Sequence, residues 1–227
     1  MNQASRCIRL RRPPVVHVQE GVHVPEDVSV DQVDERWEQL CLVNPRQFDG
    51  TILHVLSVTR NGCGGAVIQA IPCAWRYYAV SLAGLDTGVW PLGVKGYAMY
   101  EGSFLMGLRS GAVAGYPGTW EFAPGGGLQP GCDPAEMVLC ELEEEVGSCA
   151  SGPVSSVAII RDPIVKTWEI IHRFQLEKPP GAQVTGWEYD RLEMVVPGEE
   201  PHPRSWITEQ MIKLRDAGGP EVAQPGC

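Results

Sequence analysis

The stretch Thr119–Gly147 reads TWEFAPGGGLQPGCDPAEMVLCELEEEVG, and its parts follow one another as strand, glycine loop and helix. Trp120-Glu121-Phe122 reads as a short strand. Gly125-Gly126-Gly127 makes a loop whose main chain can approach a metal or a pyrophosphate closely, because no side chain stands in the way. Asp133-Pro134-Ala135-Glu136 is a helix start: Asp133 can cap, Pro134 suits the first helical position, and Glu136 stands where a capping box places it. Gly147 ends the helix as a left-handed cap. At about 100° per residue over roughly three to four turns, Ala135, Leu139, Leu142 and Val146 gather on one side. Glu141, Glu144 and Glu145, at i, i+3 and i+4, then share the opposite side, and Glu143 reads as ordinary surface.

Three carboxylates on one helix face repel one another by about a few tenths of a kcal/mol per pair in water. In a cleft the repulsion grows unless a cation compensates. Mg²⁺ and Mn²⁺ take carboxylate oxygens, water and substrate phosphates, so the face reads either as a divalent-metal platform or as a solvated acidic surface. The glycines ahead of it favour the platform. The loop is not a standard nucleotide cradle, since it lacks both the Lys-Ser/Thr ending of a P-loop and a GxGxxG run.

Upstream, Ser29–Leu42 has Val30, Val33, Trp37 and Leu40/Cys41 at helical spacing, and Asn44-Pro45 ends that helix. TILHVLSVT (51–59) alternates like a strand, Asn61-Gly62 marks a turn, and AVIQAIPCAWRYYAVSL (66–82) supplies one or two further strands. Residues 1–28 show no periodicity and read as an extended arm. Gly96-YAMYEG and SFLMGLRS read as a hairpin, and GAVAGYPG (111–118) as a flexible loop. VSSVAIIRD, WEIIHRFQLE and LEMVV follow as strands, and Ser205–Arg215 as a closing helix.

The 227 residues carry 28 Asp+Glu against 18 Lys+Arg, a net charge of −10. Such a balance disfavours polynucleotide binding, which needs a basic face. It leaves open a small anionic substrate whose charge metal ions cancel. No apolar run approaches the roughly 18–20 residues of a spanning helix, and the start, MNQASRCIRLRRPPVV, has no apolar segment of a secretory signal. The 8 cysteines are scattered without a CxxC pair, which fits reduced thiols in a cytoplasmic protein better than a zinc site or a disulfide scaffold.

With its loop and cap, the 118–147 stretch resembles the Nudix box, whose pattern runs Gly, five residues, Glu, seven residues, Arg-Glu-aliphatic-x-Glu-Glu-x-Gly-aliphatic. Aligned without gaps, this chain gives Gly126, Cys132, then Cys140-Glu141-Leu142-Glu143-Glu144-Glu145-Val146-Gly147-Ser148. FLMGLRS, ending Arg109-Ser110, resembles an early strand of the family. The likeness spans roughly residues 96 to 215, about half of the chain. Two positions depart from the pattern: Cys132 stands in place of a Glu that supports the metal site, and Cys140 in place of an Arg that orients a metal-binding Glu.

The resemblance implies an α+β protein, a Nudix-type α/β/α sandwich with a mixed sheet (95–216), preceded by a β-rich extension (1–94) and followed by a disordered tail (217–227). It implies metal-dependent hydrolysis of a nucleoside diphosphate linked to a further moiety. Glu141, Glu144 and Glu145 would bind Mg²⁺ or Mn²⁺ and act in catalysis, with the Gly126 carbonyl an extra ligand. Arg109, Gly125 and Glu188 would contact the substrate. Glu188 also leads Asp162 and Glu169 as the carboxylate supplied from a later loop, and Trp187 or Tyr189 is a candidate to stack on a base. The extension, with a Trp-containing helix, Asn-Pro-x-x-Phe-Asp-Gly and strands leading to PLGVKG, resembles the subgroup of UDP-glucose and UDP-galactose hydrolases. The expected substrate is therefore a small nucleotide, first a nucleotide sugar, with ADP-ribose or a dinucleotide polyphosphate as alternatives. A nucleotide-sensing module that has lost turnover is a further alternative. The sequence does not fix the oligomeric state, and a homodimer is one option.

Overall fold

The computed structural model describes residues 6–181 and 186–218. Its elements are β1 (Arg6–Arg9), β2 (Val15–Val18), α1 (Val30–Val43), β3 (Thr51–Arg60), β4 (Ala66–Ala74), α2 (Trp75–Leu82), β5 (Leu92–Tyr100), β6 (Ser103–Arg109), β7 (Trp120–Phe122), β8 (Gly125–Gly127), α3 (Pro134–Glu141) with a π turn Leu142–Val146, β9 (Ala150–Asp162), β10 (Thr167–Leu176), β11 (Tyr189–Val195) and α4 (Trp206–Asp216).

Eight strands form one mixed sheet in the order β1-β9-β10-β5-β6-β11, with β7 paired to β6 and β8 to β5. The β10–β5 pairing is parallel, and the others in this sheet are antiparallel. On one face Met137, Val138, Leu142 and Val146 of the α3 segment pack with Val94, Ala98, Ile170 and Phe174. On the other, Ile207, Met211 and Leu214 of α4 pack with Tyr97, Phe104, Phe122 and Ile171. Helix, mixed sheet and helix thus form three layers, and a β-rich segment precedes them, as the sequence leads one to expect. In that segment β2, β4 and β3 make a separate three-stranded sheet, and α1 and α2 close a third core around Val33, Cys73, Tyr77 and Val80.

Several local expectations are corrected. The arm contains two strands: β1 joins the main sheet against β9, and β2 runs parallel to β4. Both are short edge strands, which carry little periodicity to read. WRYYAVSL, read as strand, is helix α2. Asp49 supplies its cap from a distance, its Oδ1 accepting the Arg76 N–H at 2.9 Å, and this satisfies a first-turn donor that aromatic strand propensity cannot reveal. The three glycines of 125–127 form strand β8 against Gly93–Lys95. Of the expected disordered tail, 219–227 lie outside the described residues.

The hairpin turn is legible at atomic level: Glu101 and Gly102 both have positive φ, 47° and 81°, between paired Tyr100 and Ser103, the backbone twist that tight hairpins prefer. Asp133 caps α3 as expected, accepting the Ala135 and Glu136 N–H groups at 2.8 and 3.2 Å. Gly147 closes the segment at φ 66°. Between them, however, the final turn is π rather than α.

Candidate active site

The π turn decides where the glutamates go. Each turn there holds more residues than an α turn, so rotation per residue falls and the i, i+3, i+4 spacing no longer defines one face. Glu145 is buried, 5% exposed, beside Leu142 and Val146. Glu141 is half-buried and Glu144 exposed, though Glu144 still acts electrostatically on Glu141. The buried side of α3 is made by Met137, Val138, Leu142 and Val146, while Ala135 and Leu139 are only partly covered. Of the three expected carboxylates, Glu141 and Glu145 are directed at the glycine strand, and Glu144 is exposed and acts on Glu141 through its charge.

Glu145 Oε2 accepts the Gly125 N–H at 3.1 Å, whereas its buried Oε1 has no hydrogen-bond partner. Gly126 lies so close to Glu141 that a Cβ there would stand 1.9 Å from Oε1; glycine is required at this approach. Glu188, immediately ahead of β11, lies against Glu145. Burial, then the neighbouring Glu188, hold the Glu145 carboxyl well above the usual range. Burial, then Glu188 and Glu144, push Glu141 up to about 7. Close carboxylates without a cation resist sharing negative charge. Among the described residues no group of three or more His, Cys, Asp or Glu side chains is placed so that it could hold a metal ion.

Beside this cluster opens a cavity of about 380 Å³. Gly125, Gly126, Arg109 and Glu188 line it, as do Asp162 and Glu169. Its buried wall is a charge network. Lys95 Nζ and Arg109 Nη1 reach the same Glu121 oxygen at 2.9 and 2.8 Å, and the Tyr189 hydroxyl donates to that oxygen at 3.0 Å. Burial opposes the Glu121 charge, but Lys95 and Arg109 outweigh it and hold the carboxyl at about 2. Arg109 also donates from Nε to the Gly115 carbonyl at 2.9 Å and stands 3.9 Å from Glu188. Its expected place at the substrate cavity is therefore combined with a structural role in fastening loop 110–118.

The remaining candidates separate clearly. Asp162 is fully buried and accepts both contacts of the Tyr116 hydroxyl, at 3.0 and 2.8 Å. Glu169 sits on β10 rather than in a loop, against Gly93, and burial raises it to about 7 despite the opposing Lys95. Tyr189 is buried, 3% exposed, and pinned to Glu121, so it cannot stack on a ligand. Trp187 is 46% exposed at the cavity. Cys132 and Cys140 are exposed free thiols.

Sequence reading missed Lys95 and the roles of Glu121 and of Arg46 to Phe48. A lysine inside an otherwise apolar and glycine-rich strand, LGVKGYAMY, was the available signal for the first. The cavity wall formed by Asn44, Arg46, Gln47, Phe48, Trp75 and Tyr78 comes from the N-terminal segment.

Neither a protein-family model nor a curated protein sequence matches the chain. Solved structures do resemble it. A MutT Nudix hydrolase from Burkholderia pseudomallei is 19% identical, with 54% of this chain and 95% of that one covered and a TM-score of 0.44. The MutT protein from Methanosarcina mazei Go1 is 23% identical over 55% of this chain and 90% of its own, with a TM-score of 0.43. A bifunctional NMN adenylyltransferase/ADP ribose pyrophosphatase from Francisella tularensis, complexed with AMP and a Mn ion, is 18% identical. That match covers 63% of this chain and 47% of the longer protein, with a TM-score of 0.45. Among the described residues no helix is long and apolar enough to cross a membrane.

Proposed function

We propose that the chain is a Nudix-type pyrophosphohydrolase that cleaves the diphosphate of a small nucleotide derivative, with a nucleotide sugar such as UDP-glucose as its first substrate class. The observation that carries this reading is Glu145: a buried carboxylate with one oxygen on the Gly125 amide and the other without a partner, beside Glu141 and behind Gly125 and Glu188, which line a cavity. The sequence resemblance around Gly126 and Glu141 to Gly147 supports it.

The donor chemistry fits a hard divalent cation. The unpartnered Glu145 oxygen, the Glu141 carboxylate held against Gly126, Glu188 and the Gly126 carbonyl offer oxygen ligands only, and their mutual repulsion is what a cation relieves. Glu144 stands at the outer edge of this set. Mg²⁺ or Mn²⁺ bound there would neutralise the diphosphate and lower the pKa of water. In the reaction water adds to one phosphorus, the P–O–P bond breaks, and UMP and a sugar phosphate leave. Glu188, which faces the cavity, orients that water and takes its proton. Gly125 and Gly126 bring main chain against the diphosphate, and Arg109 faces its charge. Residues 95–216 form the catalytic unit in this reading, residues 1–94 complete its substrate cavity, and the setting is cytoplasmic.

A second reading, a nucleotide-sensing module, is favoured by one specific observation: Cys140 is an exposed thiol where a cation that orients a glutamate is expected. The experiment that separates them is a Mg²⁺ and Mn²⁺ screen of UDP-glucose, ADP-ribose and diadenosine polyphosphates, following nucleoside monophosphate release. Release of UMP from UDP-glucose is the expected result. Tight binding of a nucleotide with no product from any of them would establish the sensor and remove the enzyme.

A further inference from the structure

The N-terminal segment brings an aromatic-binding edge to the cavity. After α1, Gln47 is tied down, its Oε1 accepting the Trp75 indole N–H at 3.3 Å, and Asn44 Oδ1 accepts the Arg46 N–H at 3.1 Å. With Gln47 anchored, its neighbours Arg46 and Phe48 are presented outward, yet both line the cavity. Phe48 is 80% exposed, a large apolar ring that nothing in the described residues covers. Across from this loop, the Arg46 guanidinium carbon lies 5.9 Å from the centre of the Trp187 ring. That separation exceeds the roughly 3.5–4.0 Å of direct atomic contact. A flat ring between them needs two contacts of about that size, and a small movement of the exposed Arg46 side chain provides the difference. Trp187 itself directly precedes Glu188, which lies against Glu145. A ring held on Trp187 is therefore one residue from Glu188, the carboxylate assigned to the attacking water.

We infer that Arg46 and Trp187, with Phe48 as the outer wall, form a clamp for the base of the bound nucleotide, so that the N-terminal segment makes the site prefer nucleotides over base-free sugar phosphates. The inference rests on the cavity being a nucleotide site, and not on turnover. A guanidinium over an indole is a favourable platform, and stacking is tolerant of which ring is offered. Tyr78 and Glu169 also line the cavity.

Calorimetric titration of the full chain with UMP, AMP and ribose 5-phosphate tests this, since the last probe keeps the phosphate and sugar but lacks the base. The wild type is expected to bind at least one nucleotide about ten-fold tighter than ribose 5-phosphate. R46A and W187A, checked for folding by circular dichroism, should lose most of that advantage while binding ribose 5-phosphate as the wild type does. The clamp is overturned if the variants keep the nucleotide preference, if they weaken all probes equally, or if the wild type binds no nucleotide more tightly than ribose 5-phosphate. A protein that shows this preference but hydrolyses no diphosphate would retain the clamp and lose the enzymatic reading. One that hydrolyses UDP-glucose without a base preference would do the reverse.

Discussion

Glu145 and Glu141 are carboxylates that the fold holds at a cost. Their folded-state pKa lies above that of the unfolded chain, so the folded state keeps protons that the unfolded state has released. The sign follows: in the absence of divalent cations these groups make stability fall as pH rises, for Glu141 between its ordinary value near 4.5 and about 7. Glu141→Gln removes a charge that gains nothing from the metal-free fold. Metal-free thermal unfolding at pH 8 should therefore give the variant a Tm about 2–4 °C above wild type, with the difference vanishing near pH 4.5. Added Mg²⁺ should raise the wild-type Tm more than that of the variant. A variant less stable than wild type at pH 8 without metal would mean that Glu141 is a structural hydrogen-bonding group instead.

At the scale of elements, β5, β6 and β7 are pinned at one point by Glu121, which binds Lys95 and Arg109 together and receives the Tyr189 hydroxyl. Its depressed pKa gives stability that is present above the ordinary carboxylate value of 4.5 and lost as pH falls toward about 2. Glu121→Ala takes from buried Lys95 and partly buried Arg109 the carboxylate they share, for which about 3–5 kcal/mol is expected. In thermal unfolding that is roughly a 10 °C drop in Tm, and a drop below 2 °C would contradict the account of this junction. The short strand WEF was legible from the sequence, but the hub was not, because its partners lie on other strands. The same division holds elsewhere. The cap at Asp133 and the stop at Gly147 are local chemistry and could be read directly. That Glu145 is buried while Glu144 is exposed could not, since one π turn reorients residues that a 3.6-residue period had grouped. Helix α2 was hidden for a related reason: its cap, Asp49, is 27 residues away from the Arg76 amide it accepts.

Over the whole molecule, the layers on both faces of the main sheet are what the family resemblance implies, and most of the strands and helices that build them were legible as local patterns. What the pattern did not reveal is how the N-terminal segment is woven in. Strand β1 extends the main sheet, the α1–β3 loop walls the cavity, and the His54 Nδ1 accepts the Trp90 N–H at 3.0 Å just ahead of β5. These links are long-range pairings that short, irregular sequences do not advertise. They also explain why the acidic balance matters locally: Glu188 ahead of β11 and Glu169 on β10 line one cavity, and Glu141 and Glu145 stand behind its glycine wall. The most direct measurement is UMP release from UDP-glucose in Mg²⁺ by the wild type and by Glu141→Gln, Glu145→Gln and Glu188→Gln, singly and combined, each confirmed folded. The wild type should turn over, and Glu145→Gln and the combined variant should lose at least about a hundred-fold, on the order of 3 kcal/mol of transition-state stabilisation. Wild-type rates in the combined variant would contradict the assignment of this cluster as the catalytic centre.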